Sequence, residues 1–145
     1  MPSPTAAEAD RDPIREAHAQ WVRHGWPDAA DGMAMVTSLV RAQQLLMERI
    51  DAVLRPLGLT FARYEVLRLL SFTRSGALPM TRLGSLLQVH PTSVTSAVDR
   101  LQAQGYVERR RDEADKRVVR AAITAAGRRI VETATDGLNE VFRSP

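Results

Sequence analysis

The clearest pattern in the chain is an apolar stripe that repeats every three or four residues over about 25 positions. Side chains at these spacings share one face of an α-helix, so the stripe predicts a long amphipathic helix. Pro56 and Gly58 supply a breaker and a glycine cap, which end it. The stripe consists of Met33, Val36, Leu39, Val40, Leu46, Met47, Ile50, Val53, Leu54 and Leu57.

Shorter segments with helical spacing flank this stripe, and each begins or ends at a residue that favours a helix boundary. Thr60 and Thr124 are of the type that caps helix starts, Pro91 suits a first helical position, and Gly105 suits the position after a helix. Further helices are predicted over residues 14–24, 61–74, 81–87, 91–104 and 124–143.

After Gly105 the helical spacing stops, and two short runs typical of strands follow at 106–110 and 118–123. The loop between them is charged and poor in apolar residues, which predicts a hairpin with a projecting tip. Two helices joined by a three-residue connector and followed by a basic hairpin describe a winged helix-turn-helix. The predicted fold class is therefore mainly α with a small β-hairpin wing (α+β).

Length and composition indicate one water-soluble domain. The chain has 145 residues, 44% of them hydrophobic, and no cysteine, which excludes disulfides, thiolate chemistry and zinc–cysteine sites. No apolar run is long enough to cross a bilayer. The first twelve residues are polar and acidic, which predicts a frayed start and lacks the features of a signal peptide. We therefore expect a cytoplasmic protein with no membrane partner.

The basic charge is localised. The net charge is only +3, but residues 100–129 hold nine basic and four acidic residues, a net charge of +5, so the rest of the chain sums to −2. A basic stripe on a slightly acidic body is expected of a protein that binds a polyanion. Arginine, which suits phosphate, supplies all but one of the basic residues, although a GC-rich coding sequence would give the same bias.

In a winged helix-turn-helix the second helix enters the major groove with its N-terminal turns, while the hairpin reaches the adjacent backbone or minor groove. Hydroxyl residues at a helix start are also ordinary capping residues, but the arginine-rich hairpin beside them favours contact with double-stranded DNA. The predicted DNA contacts are Thr92, Ser93, Thr95, Ser96, Arg100, Arg110, Arg111, Lys116 and Arg117.

The segment DKRVVRAAITAAG, residues 115–127, is similar to the wing signature of the MarR family of bacterial transcription regulators: D-x-R, a short strand, then leucine-threonine-x-x-glycine. Ile123 stands in place of the usual leucine, and Val118 in place of a commoner small residue. PTSVTSAVDRL (91–101) and GYVER (105–109) resemble that family's recognition helix and the strand after it. The resemblance extends from about Met33 to Phe142.

The resemblance implies a homodimer whose N- and C-terminal helices interlock. It divides a single MarR-like domain, 1–145, into N-terminal and long dimerisation helices (14–57), a winged helix-turn-helix core (60–123) and a C-terminal dimerisation helix (124–143). The apolar surface of the terminal helices exceeds what a core of about 60 residues covers, which agrees with a dimer. The alternative is that both helices fold onto their own domain.

The resemblance also implies roles for single residues. In the wing, Asp115 is expected to orient Arg117 toward DNA, although a surface ion pair alone would explain their spacing. Trp21 resembles the tryptophan of the urate-responsive branch, and Glu65 stands where that branch has an aspartate. Ala97 stands where the branch has a ligand-pairing arginine, which argues against urate itself. We expect an aromatic or phenolic acid effector beside Trp21, Arg63 and Glu65, with core packing as the alternative for Trp21.

The sequence therefore predicts a sequence-specific, dimeric DNA-binding regulator, more specifically a ligand-modulated repressor. A non-specific architectural DNA-binding protein is the alternative, but it would be uniformly basic. Catalytic residues, metal ligands and cofactors are not expected, since His18 and His24 lie on opposite sides of their helix and no glycine-rich phosphate loop follows a strand.

Overall fold

The computed structural model describes residues 11–145, so the predicted frayed start lies mostly outside the described residues. The chain divides into two compact units, residues 1–48 and 49–145, and helix α2 runs from the first into the second. The elements are α1 (Pro13–Arg23), α2 (Pro27–Leu54), a 3-10 turn (Arg55–Leu57), α3 (Phe61–Phe72), β1 (Ala77–Pro79), α4 (Met80–Leu87), α5 (Pro91–Ala103), β2 (Val107–Arg111), β3 (Val119–Ile123) and α6 (Ala125–Arg143).

The first unit contains α1 and most of α2. Asp12 caps α1 by accepting the N–H of Ile14 at 3.0 Å. The imidazole of His18 lies 2.8 Å from the carboxylate of Asp31 and links the two helices. A row of apolar side chains on α2 is exposed on this chain: Met35, Val36, Leu39 and Val40.

The second unit holds the core, which begins at the end of α2 and is built mainly by α3, α4, α5 and α6. Its fully buried large side chains come from every one of these helices and from β2. They include Leu54, Leu67, Leu70, Leu83, Val98, Leu101, Val107, Val131 and Leu138. Helix α6 therefore contributes much of its apolar stripe to the core of its own chain, while Phe142 at its end remains exposed.

The sheet of the second unit has the order β1-β3-β2, and both pairings are antiparallel. The hairpin register places Val107 opposite Ile123 and Arg111 opposite Val119. The hairpin was predicted, but β1 was not: Ala77 pairs with Ala122 across 45 residues of chain, and the segment looked like a loop because it ends in proline.

Gly127 explains the glycine of the predicted wing signature. A Cβ at this position would overlap the carbonyl oxygen of Tyr106, so α6 and the start of the hairpin approach more closely than any side chain allows. Thr124 fixes the same corner, because its hydroxyl donates to Gly105 O at 2.7 Å and accepts the N–H of Gly127 at 3.0 Å. The base of the wing is therefore held rigidly against the core.

Candidate DNA-binding site

Helices α4 and α5 form a helix-turn-helix with a connector of three residues. Gln88 ends α4 in the left-handed conformation, at φ 55°. His90 caps α5, its ring accepting the N–H of Thr92 at 3.2 Å, and Pro91 takes the first helical position. A Cβ at Gly84 would lie 3.7 Å from the side chain of Val94, an ordinary van der Waals distance, so α4 and α5 pack against each other at this point. The two helices therefore pack closely, and α5 is held by both its cap and its base.

Helix α5 is divided into a buried and an exposed face. Val94, Ala97, Val98 and Leu101 are buried, as their spacing predicts. The predicted contact residues of this helix all lie on its exposed side: Thr92, Ser93, Thr95, Ser96 and Arg100. The hydroxyl of Thr95 donates to Pro91 O at 3.1 Å, so it is partly engaged by its own helix.

An open cleft lies between the start of α3 and the exposed face of α5. Its volume is about 430 Å³, and it contains two guanidinium groups, three hydroxyl residues of α5 and no carboxylate. It is lined by Thr60, Ala62, Arg63, Thr92, Ser93, Ser96, Ala97 and Arg100. The cleft is therefore a positively charged recess beside the exposed side of α5.

The wing carries the remaining predicted contacts. Arg110 lies on β2 and pairs with Glu108 at 2.9 Å, while Arg111, at the end of β2, donates to Lys116 O at 3.1 Å. Arg117 is the most projecting of these groups, with 92% of its side chain exposed. The structure thus gathers the basic residues at one hairpin and leaves its tip cations in solvent.

Asp115 contacts Arg117 as the sequence suggested. Its Oδ1 accepts the backbone N–H of Arg117 at 3.1 Å and its side-chain Nε at 3.2 Å. These hydrogen bonds lower the pKa of Asp115 below its usual value. An exposed pair of this kind contributes little to stability.

Asp112 is a residue of the wing that sequence analysis missed. Its carboxylate lies 2.6 Å from Nε of Arg120 and accepts the backbone N–H groups of Ala114 and Asp115. The hydrogen bond from Arg120 is the main cause of the lowered pKa of Asp112, followed by the two backbone donors. An aspartate at the start of a hairpin loop is a sequence signal for an Asx turn, in which its carboxylate accepts nearby backbone N–H groups. The contact with Arg120 has no such local signal, because Arg120 lies eight residues away.

Two of the three predicted effector residues, Arg63 and Glu65, line different cavities of the second unit. Arg63 lines the cleft beside α5, whereas Glu65 lines a different cavity of about 310 Å³ with Phe72 and Phe142. Burial raises the pKa of Glu65. Trp21 belongs to the first unit, where its ring lies 5.6 Å from that of Trp26.

The fold and these motifs agree with comparisons to known proteins. The sequence model of the MarR family matches residues 57–118. A crystal structure of Sco5413, a MarR family transcriptional regulator from Streptomyces coelicolor, shares 51% sequence identity over 76% of each chain, with a TM-score of 0.70. The chain belongs to the MarR family.

Two further relatives extend the comparison of this MarR family transcriptional regulator. The HTH-type transcriptional repressor Mb2911 of Mycobacterium bovis is 30% identical over 72% of this chain and 74% of its own length. BpsR of Bordetella bronchiseptica, whose DNA binding is regulated by 6-hydroxynicotinic acid, shares 25% identity over 74% of this chain and 76% of its own, with a TM-score of 0.68. The match to the regulator PrsX of Escherichia coli spans 58% of that protein's length.

The family is one of transcription regulators and is not enzymatic in general. Within residues 11–145, no three His, Asp or Glu side chains are grouped so that they could hold a metal ion. In the same part of the chain, no helix combines the length and apolar character needed to span a bilayer.

Proposed function

We propose that this MarR family regulator is a repressor that binds a pseudo-palindromic operator as a homodimer and is modulated by a small aromatic or phenolic acid. The observation that carries the proposal is the shared exposure of the α5 hydroxyl residues and the arginine-rich wing on one helix-turn-helix unit. The repressor Mb2911 supports the direction of regulation.

In this proposal α5 reads the major groove, and Thr92, Ser93, Thr95 and Ser96 contact base edges or adjacent phosphates. Arg100 and the wing residues Arg110, Arg111 and Lys116 supply phosphate contacts. Arg117, oriented by Asp115, enters the minor groove, where the negative potential attracts a guanidinium. Although it pairs with Asp115, the side chain of Arg117 is 92% exposed, so its guanidinium is free to approach DNA from the tip of the wing.

The exposed apolar row of α2 supports the homodimer. Met35 and Leu39 lie four residues apart, as do Val36 and Val40, so the two pairs form adjacent rows on one side of α2, and each side chain is between 47% and 64% exposed. A continuous apolar surface of this kind usually marks an interface. A second copy related by two-fold symmetry would cover it and place two α5 helices about 34 Å apart, one turn of duplex.

For the effector, we propose that Arg63, in the cleft beside α5, pairs with the acid group of the ligand. A guanidinium suits a carboxylate, and its plane can stack on an aromatic ring. The regulation of BpsR by 6-hydroxynicotinic acid supports this class of ligand. The ligand lowers DNA affinity only in so far as it binds the DNA-competent state less tightly.

Selection of bound sequences from random duplex DNA tests the proposed function. We expect a two-fold symmetric consensus with half-sites about one helical turn apart. A set of bound sequences without a consensus would instead support the non-specific architectural DNA-binding protein. An asymmetric single half-site would contradict the homodimer.

A further inference from the structure

The cleft between α3 and α5 holds two arginines that are not neutralised. Arg63 and Arg100 both line it, and its lining includes no acidic side chain. Among residues 11–145, the guanidinium of Arg100 makes neither an ion pair nor a hydrogen bond. Because both guanidinium groups line one cleft, their charges repel each other; partial burial, followed by the charge of Arg100, lowers the pKa of Arg63. An anion between them would relieve that repulsion.

Arg63 is held in position by its own neighbours. Its Nε donates to the hydroxyl of Thr60 at 3.2 Å, and its Nη1 donates to Gly58 O at 3.2 Å and to Gln104 Oε1 at 3.3 Å. Gln104 also donates to Gly58 O at 2.7 Å, so the turn before α3 and the end of α5 are tied together. Nη2 of Arg63 has no acceptor among the described residues. The guanidinium is therefore preorganised, with one donor group left over.

The positive surface continues past this cleft. A neighbouring cleft of about 410 Å³ shares Thr60, Arg63 and Arg100 and adds Arg55, with Asp51 as its one acidic residue. The N–H groups at the start of α3 add a positive dipole end at the same place. The opposite wall is formed by the exposed hydroxyl residues of α5. The positive surface is therefore continuous with the face that we propose reads DNA.

We propose that Arg63 and Arg100 together hold one backbone phosphate of the bound DNA, so that the DNA-contacting surface extends from α5 onto the start of α3. The inference rests on the proposed binding of DNA through α5. Arg63 is not among the DNA contacts expected from the sequence, because α3 precedes the helix-turn-helix. An effector carboxylate paired with Arg63 and this phosphate would exclude each other.

The test measures affinity for the selected duplex by fluorescence anisotropy at several salt concentrations. Arg63→Gln removes the charge but keeps an N–H donor near the position of Nε, which donates to Thr60, and Arg100→Ala removes a guanidinium that has no partner among the described residues. We expect each variant to bind about tenfold more weakly and to lower the slope of log K against log salt by about one. Arg74→Ala, an exposed arginine beyond the opposite end of α3, is the matched control.

A second arm identifies the phosphate. Duplexes with a single neutral methylphosphonate are scanned along the operator. At one position, we expect the wild type to lose about tenfold in affinity, while Arg63→Gln and Arg100→Ala lose nothing further, since their contact is already absent. Circular dichroism checks that the variants are folded. If Arg63→Gln is unfolded, the result for Arg100→Ala alone decides whether the phosphate contact exists.

Two results have different meanings. If the wild type selects no duplex, the proposed function fails. The phosphate contact is contradicted if the wild type binds its duplex and both variants bind it as Arg74→Ala does. It is also contradicted if every methylphosphonate that weakens the wild type weakens the two variants as well. In both cases the proposed DNA binding itself is unaffected.

Discussion

The guanidinium of Arg109 on β2 lies 2.6 Å from the carboxylate of Asp99 on α5, and it also donates to Gln102 of that helix at 2.6 Å. Arg109 is thereby tied to the protein, with 26% of its side chain exposed, although it belongs to the basic run of the wing. Its contacts join the first wing strand to α5. The wing and α5 are therefore joined directly, and Arg109 differs from the exposed Arg117 in having its guanidinium bound to α5.

Replacing Arg117 with Ala is expected to weaken binding to every duplex without unfolding the protein, because the side chain is almost fully in solvent. The slope of log K against log salt should become shallower by about one, as for the loss of one phosphate-region contact. Arg143→Ala is the matched control, since Arg143 is also exposed and ion-paired, with Glu140. An unchanged slope would indicate that the wing tip does not contact DNA.

Replacing Ser93 or Thr95 with Ala is expected to reduce the ratio of specific to non-specific affinity, because the first turns of α5 lie closest to base edges. Affinities are measured on the selected duplex and on a scrambled one. Thr133→Ala is the control for Thr95, since both hydroxyls donate to the carbonyl four residues earlier in an exposed helix. If both affinities fall equally, these residues contact phosphates rather than bases.

Replacing Leu39 with Asp is expected to give a folded monomer, because this side chain is 64% exposed in one chain and lies in the apolar row of α2. Sedimentation should give a mass of twice 16.1 kDa for the wild type and of 16.1 kDa for the variant. Arg41→Asp places a carboxylate at an exposed position on the side of α2 away from this row and should leave the dimer intact.

Replacing Leu138 with Asp has a different expected outcome, because Leu138 is fully buried within its own chain. A buried, unpaired carboxylate in place of leucine costs on the order of 3 to 5 kcal/mol, so this variant should unfold. Thermal unfolding followed by circular dichroism measures this loss of stability.

A wild type that sediments as a monomer at micromolar concentration would contradict the proposed dimer interface on α2.

The wing is expected to lose order in acid. The pKa of Asp112 is lowered in the folded chain, so its ionisation stabilises the wing fully above the unfolded value of about 3.9, and that contribution is lost as the pH falls through the folded pKa. The carbon-13 shift of its carboxyl group measures the titration, and the amide shift of Ala114 should follow it. Asp112→Asn should abolish this change at Ala114. Titration of Asp112 at an ordinary aspartate pKa would contradict the observed contacts.

The effector is tested by titrating a panel that includes urate and salicylate while tryptophan fluorescence and operator release are followed together. Urate is expected to bind weakly or not at all, because Ala97 supplies no guanidinium, whereas another aromatic acid should release the operator. Arg63→Gln should weaken binding of that acid, measured by tryptophan fluorescence in the absence of DNA. Tight urate binding that lowers DNA affinity would contradict the argument from Ala97, and no response to any compound would indicate ligand-independent regulation.

Local signals in the sequence predicted the elements well. The starts of α3, α5 and α6 fall where Thr60, Pro91 and Thr124 place them, since caps act within one turn. What the sequence missed depends on distant contacts: β1 exists only because it pairs with β3, and Arg120 finds Asp112 only when the hairpin closes.

The grouping of Arg63 with Glu65 could have been judged from the sequence. Residues two apart in a helix do not face each other, and the two side chains accordingly line different cavities of α3. Arg63 could not have been connected with Arg100 in the same way, because 37 residues separate them and only the packing of α3 beside α5 brings them together. Spacing along one helix can be read locally, whereas a cleft between helices cannot.

The backbone N–H of Asp112 donates to Val118 O at 2.9 Å, which closes the wing loop at its base. The residues enclosed, 113–117, include no buried side chain, and the core ends before them. The length and charge of this loop can therefore change, in evolution or by design, without disturbing the packing that holds α5. New binding preferences can arise at the tip while the rest of the protein remains unchanged.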